Sequence, residues 1–422
     1  MSANVETARA RIIALAAGLA LACLAAAITW VSYGHFDQTL TLWERVDVWF
    51  SADIARVFDN LTDRTAGHVT THKHPLFSLA FWPIVWVFSR FTDDSATAIG
   101  MLLALNAFTA TMLLWRLLRW LGLALMDLIL CLALFLSSAA FLFWFAVPET
   151  FAFGTTSILL SLQLLTLPRS GPGGLLLTEA LLCMASLTIT ITNWGVGLIA
   201  VALRHGLLRL ANWRAGMIPT LKRPVAVVGL AGGIALALAS LQNAIFGQAG
   251  MFINVVALAD ESKFFIDVTG RSALTRLFDL SVSPIIAGDL LSYPQAAIPG
   301  LAPERGVLDM SNIAFASVAQ IIATGAWLLT LALALGVFLR ERGADLIVAT
   351  ALLSSAGFMM MHLLYGSVYF LYVAHFVAQY ALISTLALRG RTKWFGRAAL
   401  AAVVVFGGYH NFAILEAARA LS

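Results

Sequence analysis

The sequence predicts an all-α polytopic membrane protein with about 11 transmembrane helices, counted as apolar runs close to the ~20 residues that cross a hydrocarbon core. Three observations carry this. Of 422 residues, 60% are hydrophobic and 11% are charged, against roughly 25% charged in a soluble domain. Mean hydropathy is +0.88. Lys and Arg fall in short clusters between the apolar runs, where orientation signals lie. That clustering also removes nucleic-acid binding as the reading of a pI near 9.1. Cys23, Cys131 and Cys183 all lie inside apolar runs and read as packing residues, with no disulfide framework or metal cluster.

Span 1 covers 12–31, with Arg9 and Arg11 holding its start in the cytoplasm. It is long and lacks a small-x-small cleavage site, so it reads as a retained span rather than a signal peptide. Residues 34–92 then form the first extracytoplasmic loop. Within it Leu42, Trp43, Val46, Trp49, Phe50, Ile54, Val57, Phe58 and Leu61 recur at three- and four-residue spacing. That predicts an amphipathic helix along the membrane surface with its tryptophans at headgroup level and Asp53, Arg56 and Asp59 on its polar side. The run 75–91 is short and carries Pro83. If it crosses, Arg116, Arg119 and most later basic clusters lie outside. If it stays at the outer surface or re-enters, span 2 is 96–118 and Arg116/Arg119, Arg169, 204–223, Arg340/Arg342 and 389–397 all face the cytoplasm. The positive-inside rule favours the second arrangement.

Spans 3 to 7 then follow at 123–147, 151–167, 175–192, 194–208 and 225–246, with 204–223 expected as a surface helix attracted to anionic lipid on the cytoplasmic leaflet. A long extracytoplasmic loop covers 247–311, and spans 8 to 11 are 313–339, 346–364, 369–388 and 395–415. No internal repeat divides the chain, so 1–422 reads as a single integral membrane domain. The Ala/Leu-rich composition points to a bacterial inner membrane, with the N-terminus cytoplasmic.

In this topology the unusual polar chemistry gathers on the outer face. It comprises the 53–74 segment, Pro148-Glu149-Thr150, Asn193-Trp194, the 247–311 loop, and the stretch from Tyr365 to His375. Ionisable groups are costly in an apolar setting and mark function by default. Each has a plainer role. Glu149 suits the N-cap of span 4, Lys73 and Arg271 can snorkel to headgroups, and the tyrosines suit an interfacial belt. The i,i+2 spacing of His72 and His74 is a weak metal signal.

The pieces Ala52-Asp53-Ile54, His72-Lys73-His74-Pro75-Leu76-Phe77 and Pro148-Glu149 resemble the GT-C superfamily of membrane glycosyltransferases, which includes protein mannosyltransferases and lipid A aminoarabinose transferases. The resemblance implies a surface helix with an acid in the first outer loop and an acid at the outer end of the third span. It also implies transfer of a sugar from a polyprenyl-phosphate donor to a hydroxyl of a lipid, glycan or protein, on the extracytoplasmic face and with inversion. Asp53 is then the expected general base, and Glu149 a second acid that orients the acceptor or shares a metal with a histidine. Arg56, Lys73 and Arg271 are expected on phosphate, and His72, His74, Tyr365, Tyr369 and His375 on sugar hydroxyls or phosphate. The family's paired Asp-x-Asp/Glu is absent around Asp53, which leaves a divalent metal open. Two other classes share the architecture: a transporter or flippase of lipid-linked glycan, which favours mid-membrane charges and inverted repeats, and a non-catalytic membrane scaffold.

Overall fold

The computed structural model describes residues 8–35, 49–168, 175–207, 217–252, 272–294, 306–341, 345–365 and 369–421. Among these, α1 (Ala8–Gly34) packs along α4 (Ser95–Trp120), with α2 (Ile54–Thr62) and α3 (Phe77–Phe88) between them in sequence. α5 (Leu125–Ser137) breaks at Ser138, whose hydroxyl accepts the Phe141 N–H, and resumes as α6 (Ala139–Trp144). α7 (Thr150–Leu162), α8 (Leu176–Ile189), α9 (Trp194–Arg204) and α10 (Met217–Ile245) follow. After α11 (Ala273–Val282), strands β1 (Leu290–Pro294) and β2 (Gly306–Met310) pair antiparallel, Leu290 opposite Met310. The chain ends with α12 (Val318–Glu341), α13 (Leu346–Leu364), α14 (Ala374–Ser384), α15 (Lys393–Ala402) and α16 (Gly408–Leu421), the last two joined by a π-helical turn at Val403–Gly407.

Six segments are long and apolar enough to cross a membrane: Ile12–Gly34, Ser95–Trp120, Leu221–Ile245, Val318–Glu341, Leu346–Leu364 and Gly390–Ala420. The protein is an all-α membrane protein. The other apolar helices have 10–17 residues, and they include the central pair α7 and α14, buried along most of their lengths. Every one of the eleven apolar runs read from the sequence contains a helix.

Buried carboxylates tie the helix ends. Glu179 on α8, 3% exposed, accepts from Arg204 Nε at 3.1 Å and Arg223 Nε at 3.0 Å. Arg204 also donates to the carbonyls of Leu164, Leu167 and Pro168, satisfying the end of the α7 segment. Asp127 on α5 meets Arg397 at 2.6 Å and Lys393 at 3.0 Å on α15. α9 lies against α8 because residue 197 is glycine: a Cβ there would stand 2.3 Å from the Cys183 carbonyl oxygen.

The structure departs from three expectations. The surface helix expected over 204–223 lies outside the described residues at 208–216, and at its ends Arg204 and Arg223 are both turned onto Glu179, whose buried carboxylate needs charged partners. Cys23 is exposed on α1 rather than packed. The amphipathic helix expected across 42–61 is helical only over α2, with 42–48 outside the described residues. Trp49 and Phe50 are 2% and 0% exposed, buried against other parts of the chain rather than presented on a surface. Phe50 and Ser51 adopt left-handed φ of 49° and 59°, a non-helical turn ahead of α2 that goes with both the Trp49 and Phe50 rings packing inward, onto Phe143, Trp144 and Phe370.

Candidate active site

That inward fold fixes where α2 begins. The Phe50 N–H donates to the Leu308 carbonyl of β2 at 3.0 Å, and Trp49 Nε1–H donates to the Phe143 carbonyl at 3.4 Å. Residue 53 is therefore anchored from the hairpin and from α6 together. Asp53 occupies the N-cap of α2, yet its side chain caps nothing. An aspartate there ordinarily accepts an N–H of its own helix. Instead its carboxylate pairs with Arg56, one turn along, and remains 44% exposed.

The Asp53 backbone is held from the other side. Its N–H donates to Glu149 Oε2 at 2.9 Å. Glu149, 2% exposed, is the N-cap of α7, and its Oε1 accepts the Thr150 N–H at 2.6 Å and the Thr150 hydroxyl at 2.8 Å. Burial, and next the Asp53 carboxylate, push its pKa up to about 7. The two acids of the sequence reading thus meet across 96 residues, but they are not alike: Asp53 is open and paired with Arg56, while Glu149 is enclosed and fully engaged.

The Val69–His72 turn and its successor residues form the third wall. His74 Nδ1–H donates to the Ile189 carbonyl at 2.8 Å, the Leu76 N–H donates to the Thr188 carbonyl, and the Ile191 N–H donates to the Lys73 carbonyl. This clamp fixes Lys73 and His74 against the end of α8. Desolvation first, then the neighbouring Arg56, Lys73 and His72, hold the His74 pKa down at about 3, so the ring is neutral. Below it, His68 accepts from the Ser78 hydroxyl at Nδ1 and donates to the Asp63 carbonyl, and burial lowers its pKa. Asn60, Thr71, His74 and Thr150 help line a cavity of about 10 Å³.

His375 on α14 is 2% exposed, with ring centroids 5.3 Å from Phe151 and 5.8 Å from Phe358. Tyr365 ends α13 and leans on Tyr372, which stacks on His362 at 4.2 Å. His72 turns back onto the Val69 carbonyl on the exposed side of its turn. Arg271 and the side chain of Tyr369 lie outside the described residues. Among the described residues no three His, Cys, Asp or Glu side chains come together as metal ligands. Sequence reasoning named Thr150 among the outer polar residues but gave it no role; in the structure it completes the hold on Glu149.

An apolar groove of about 380 Å³ runs between α3, α4, α7 and α8, lined by Phe81, Ile84, Leu102, Phe153 and Met184 among others. Its rim residues Leu105, Leu160 and Leu181 are exposed, so it opens on the outside of the bundle. One end reaches Thr188 and Ile189, the residues that clamp Leu76 and His74. No protein-family model matches this chain, and no curated protein matches it in sequence.

Proposed function

We propose that this protein is a membrane glycosyltransferase that moves a sugar from a polyprenyl-phosphate donor to an acceptor hydroxyl on the extracytoplasmic face, with Asp53 as general base. The observation that carries the proposal is the pairing of an open, non-capping Asp53–Arg56 unit with an apolar groove that opens on the outside of the bundle. The groove's inner end adjoins the Lys73–His74 clamp. A polyprenyl phosphate needs an apolar channel for its chain and cations for its head, within reach of a base.

In this reading the donor's prenyl chain lies in the groove and its phosphate meets Lys73 and Arg56. Arg56 has the capacity for it, since its Nε is buried without a hydrogen-bond partner among the described residues. The acceptor O–H gives its proton to the Asp53 carboxylate as its oxygen bonds to the anomeric carbon. The carbon–oxygen bond to phosphate breaks, and its electron pair leaves with the phosphate, which the cations stabilise. Attack opposite the leaving group inverts the anomeric centre. Glu149 is a positioning residue: both its oxygens already accept hydrogen bonds, from Asp53's backbone and from Thr150 at the start of α7, which leaves it unsuited to share Asp53's role. The eleven helical segments other than α3 then cross the membrane, with α2 and α3 at the outer surface. This puts the Glu179 and Asp127 ion clusters on the cytoplasmic side. A 13-residue helix such as α7 spans only ~20 Å, so the outer ends of the short central helices lie recessed beneath the 49–91 segment.

Purified protein in nanodiscs, given a panel of undecaprenyl-phosphate hexoses and pentoses with lipid, glycan and peptide acceptors, is expected to transfer sugar. Movement of lipid-linked sugar across proteoliposomes with no transfer would replace the proposal with the transporter reading.

A further inference from the structure

Beneath Glu149 the polar lining continues into the bundle. Thr150 and Gly154 stand one above the other on α7, four residues apart and so on one face. Residue 154 faces two side chains from other elements: a Cβ placed there would stand 3.1 Å from Asn193 Nδ2 and 3.2 Å from His375 Nε2. Asn193 is 0% exposed and His375 2%. Neither amide atom of Asn193, and neither ring nitrogen of His375, has a hydrogen-bond partner among the described residues. Buried polar atoms of native proteins are nearly always bonded, so four orphaned atoms at one point mark a place where something else supplies the bonds.

The chemistry of the pair selects the ligand. The amide offers both donor and acceptor, and a neutral imidazole offers one of each. Such a set suits hydroxyl groups, which are donor and acceptor together, and offers no charge to an anion. The cations Arg56 and Lys73 lie with His74 at the outer end, and His74 is in electrostatic reach of His375. Phe151, beside the His375 ring, gives the pocket an apolar wall. Asn193 lies two residues after Ile191, whose N–H is bonded to the Lys73 carbonyl, so the segment that carries the orphaned amide is tied to the segment that carries the proposed phosphate contact.

We infer that Asn193 and His375, facing each other over Gly154, form a hydroxyl-binding subsite that receives the sugar ring of the lipid donor, with Gly154 setting the room available. This rests on the proposed transferase reading and names the residues that recognise the sugar. Gly154→Ala fills the space within an intact helix, while Asn193→Ala and His375→Gln change its bonding.

The test is equilibrium binding to nanodisc-embedded protein of bare undecaprenyl phosphate and of the same lipid carrying each of a panel of hexoses and pentoses. The inference predicts that at least one sugar tightens wild-type binding roughly tenfold over the bare lipid, as one or two well-placed hydrogen bonds provide. That increment should fall below about twofold in Gly154→Ala and Asn193→Ala, with bare-lipid binding unchanged as the sign of an intact fold. His375→Gln, which keeps a donor and an acceptor, should retain part of it. Bare lipid that binds with no increment for any sugar, or an increment that survives in all three variants, overturns the subsite and leaves the lipid-dependent reading standing. Failure of the wild type to bind either lipid overturns both.

Discussion

At the scale of single residues, the division of labour between the two acids is the testable point. Glu149→Ala removes the cap of α7 and orphans the Asp53 N–H, at a cost of about 1 kcal/mol for the cap and about 1–3 kcal/mol for the unmet donor. Because it also displaces Asp53, kcat is expected to fall on the order of 10²-fold. Glu149→Gln keeps a hydrogen-bond acceptor and should recover much of the activity, which a proton-transferring Glu149 would not allow. Linkage gives a second check. The raised Glu149 pKa means the folded state holds a proton that the unfolded state releases at roughly pH 4.3. Its stabilisation is present below that pH and is lost as pH rises through about 7. Thermal denaturation of Glu149→Gln between pH 5 and 8 should therefore lack a decline that wild type shows. The pairing itself was half legible. Asp53 and Glu149 stand out as acids in an apolar sequence, but nothing local says that one would grip the other's backbone rather than share its chemistry.

At the scale of elements, the 68–76 clamp and the helix-end ion clusters make separate predictions. His74 is bonded as a neutral ring, with its pKa depressed to about 3 from roughly 6.5 in the unfolded chain. Its contribution is complete above that value and is lost as pH falls below it. Hydrogen exchange corrected for intrinsic rates should show the 68–76 amides opening more often at pH 5.5 than at 7.5, and His74→Asn should remove most of the difference. At the opposite helix ends, Glu179→Ala leaves Arg204 and Arg223 facing each other without their shared carboxylate. Losing one member of a buried ionic cluster costs about 3–5 kcal/mol, readable as a large fall in the thermal midpoint of detergent-solubilised protein. The helices of the eleven apolar runs were legible from hydropathy, whereas α11, which carries Arg276 and Asp279, falls inside the stretch expected as a loop over 247–311. The 42–61 helix was misread because its three- and four-residue period is real but is cut at Phe50 and Ser51. Neither residue carries the glycine that normally advertises a left-handed backbone.

At the scale of the whole molecule, hydropathy was enough for the class, an all-α membrane protein. The meeting of Trp49 with Phe143 and β2, and of Phe50 with Phe370, depends on contacts between parts of the chain far apart in sequence that no sequence period encodes. The topology is testable directly. With Cys23, Cys131 and Cys183 replaced by alanine, Arg64→Cys and Asp93→Cys should both react with an impermeant maleimide in intact cells if, as the proposed topology has it, α3 lies between them without crossing. Labelling of only one would mean that α3 spans the membrane. The central claim is that this arrangement exists to place Asp53 at a sugar-transfer step. The most direct measurement is the rate of sugar transfer from an undecaprenyl-phosphate sugar by purified protein in nanodiscs, wild type against Asp53→Asn, with thermal midpoints matched to show both are folded. Transfer by wild type that falls at least about 10²-fold in the variant is the predicted result, and equal rates in the two proteins would contradict it.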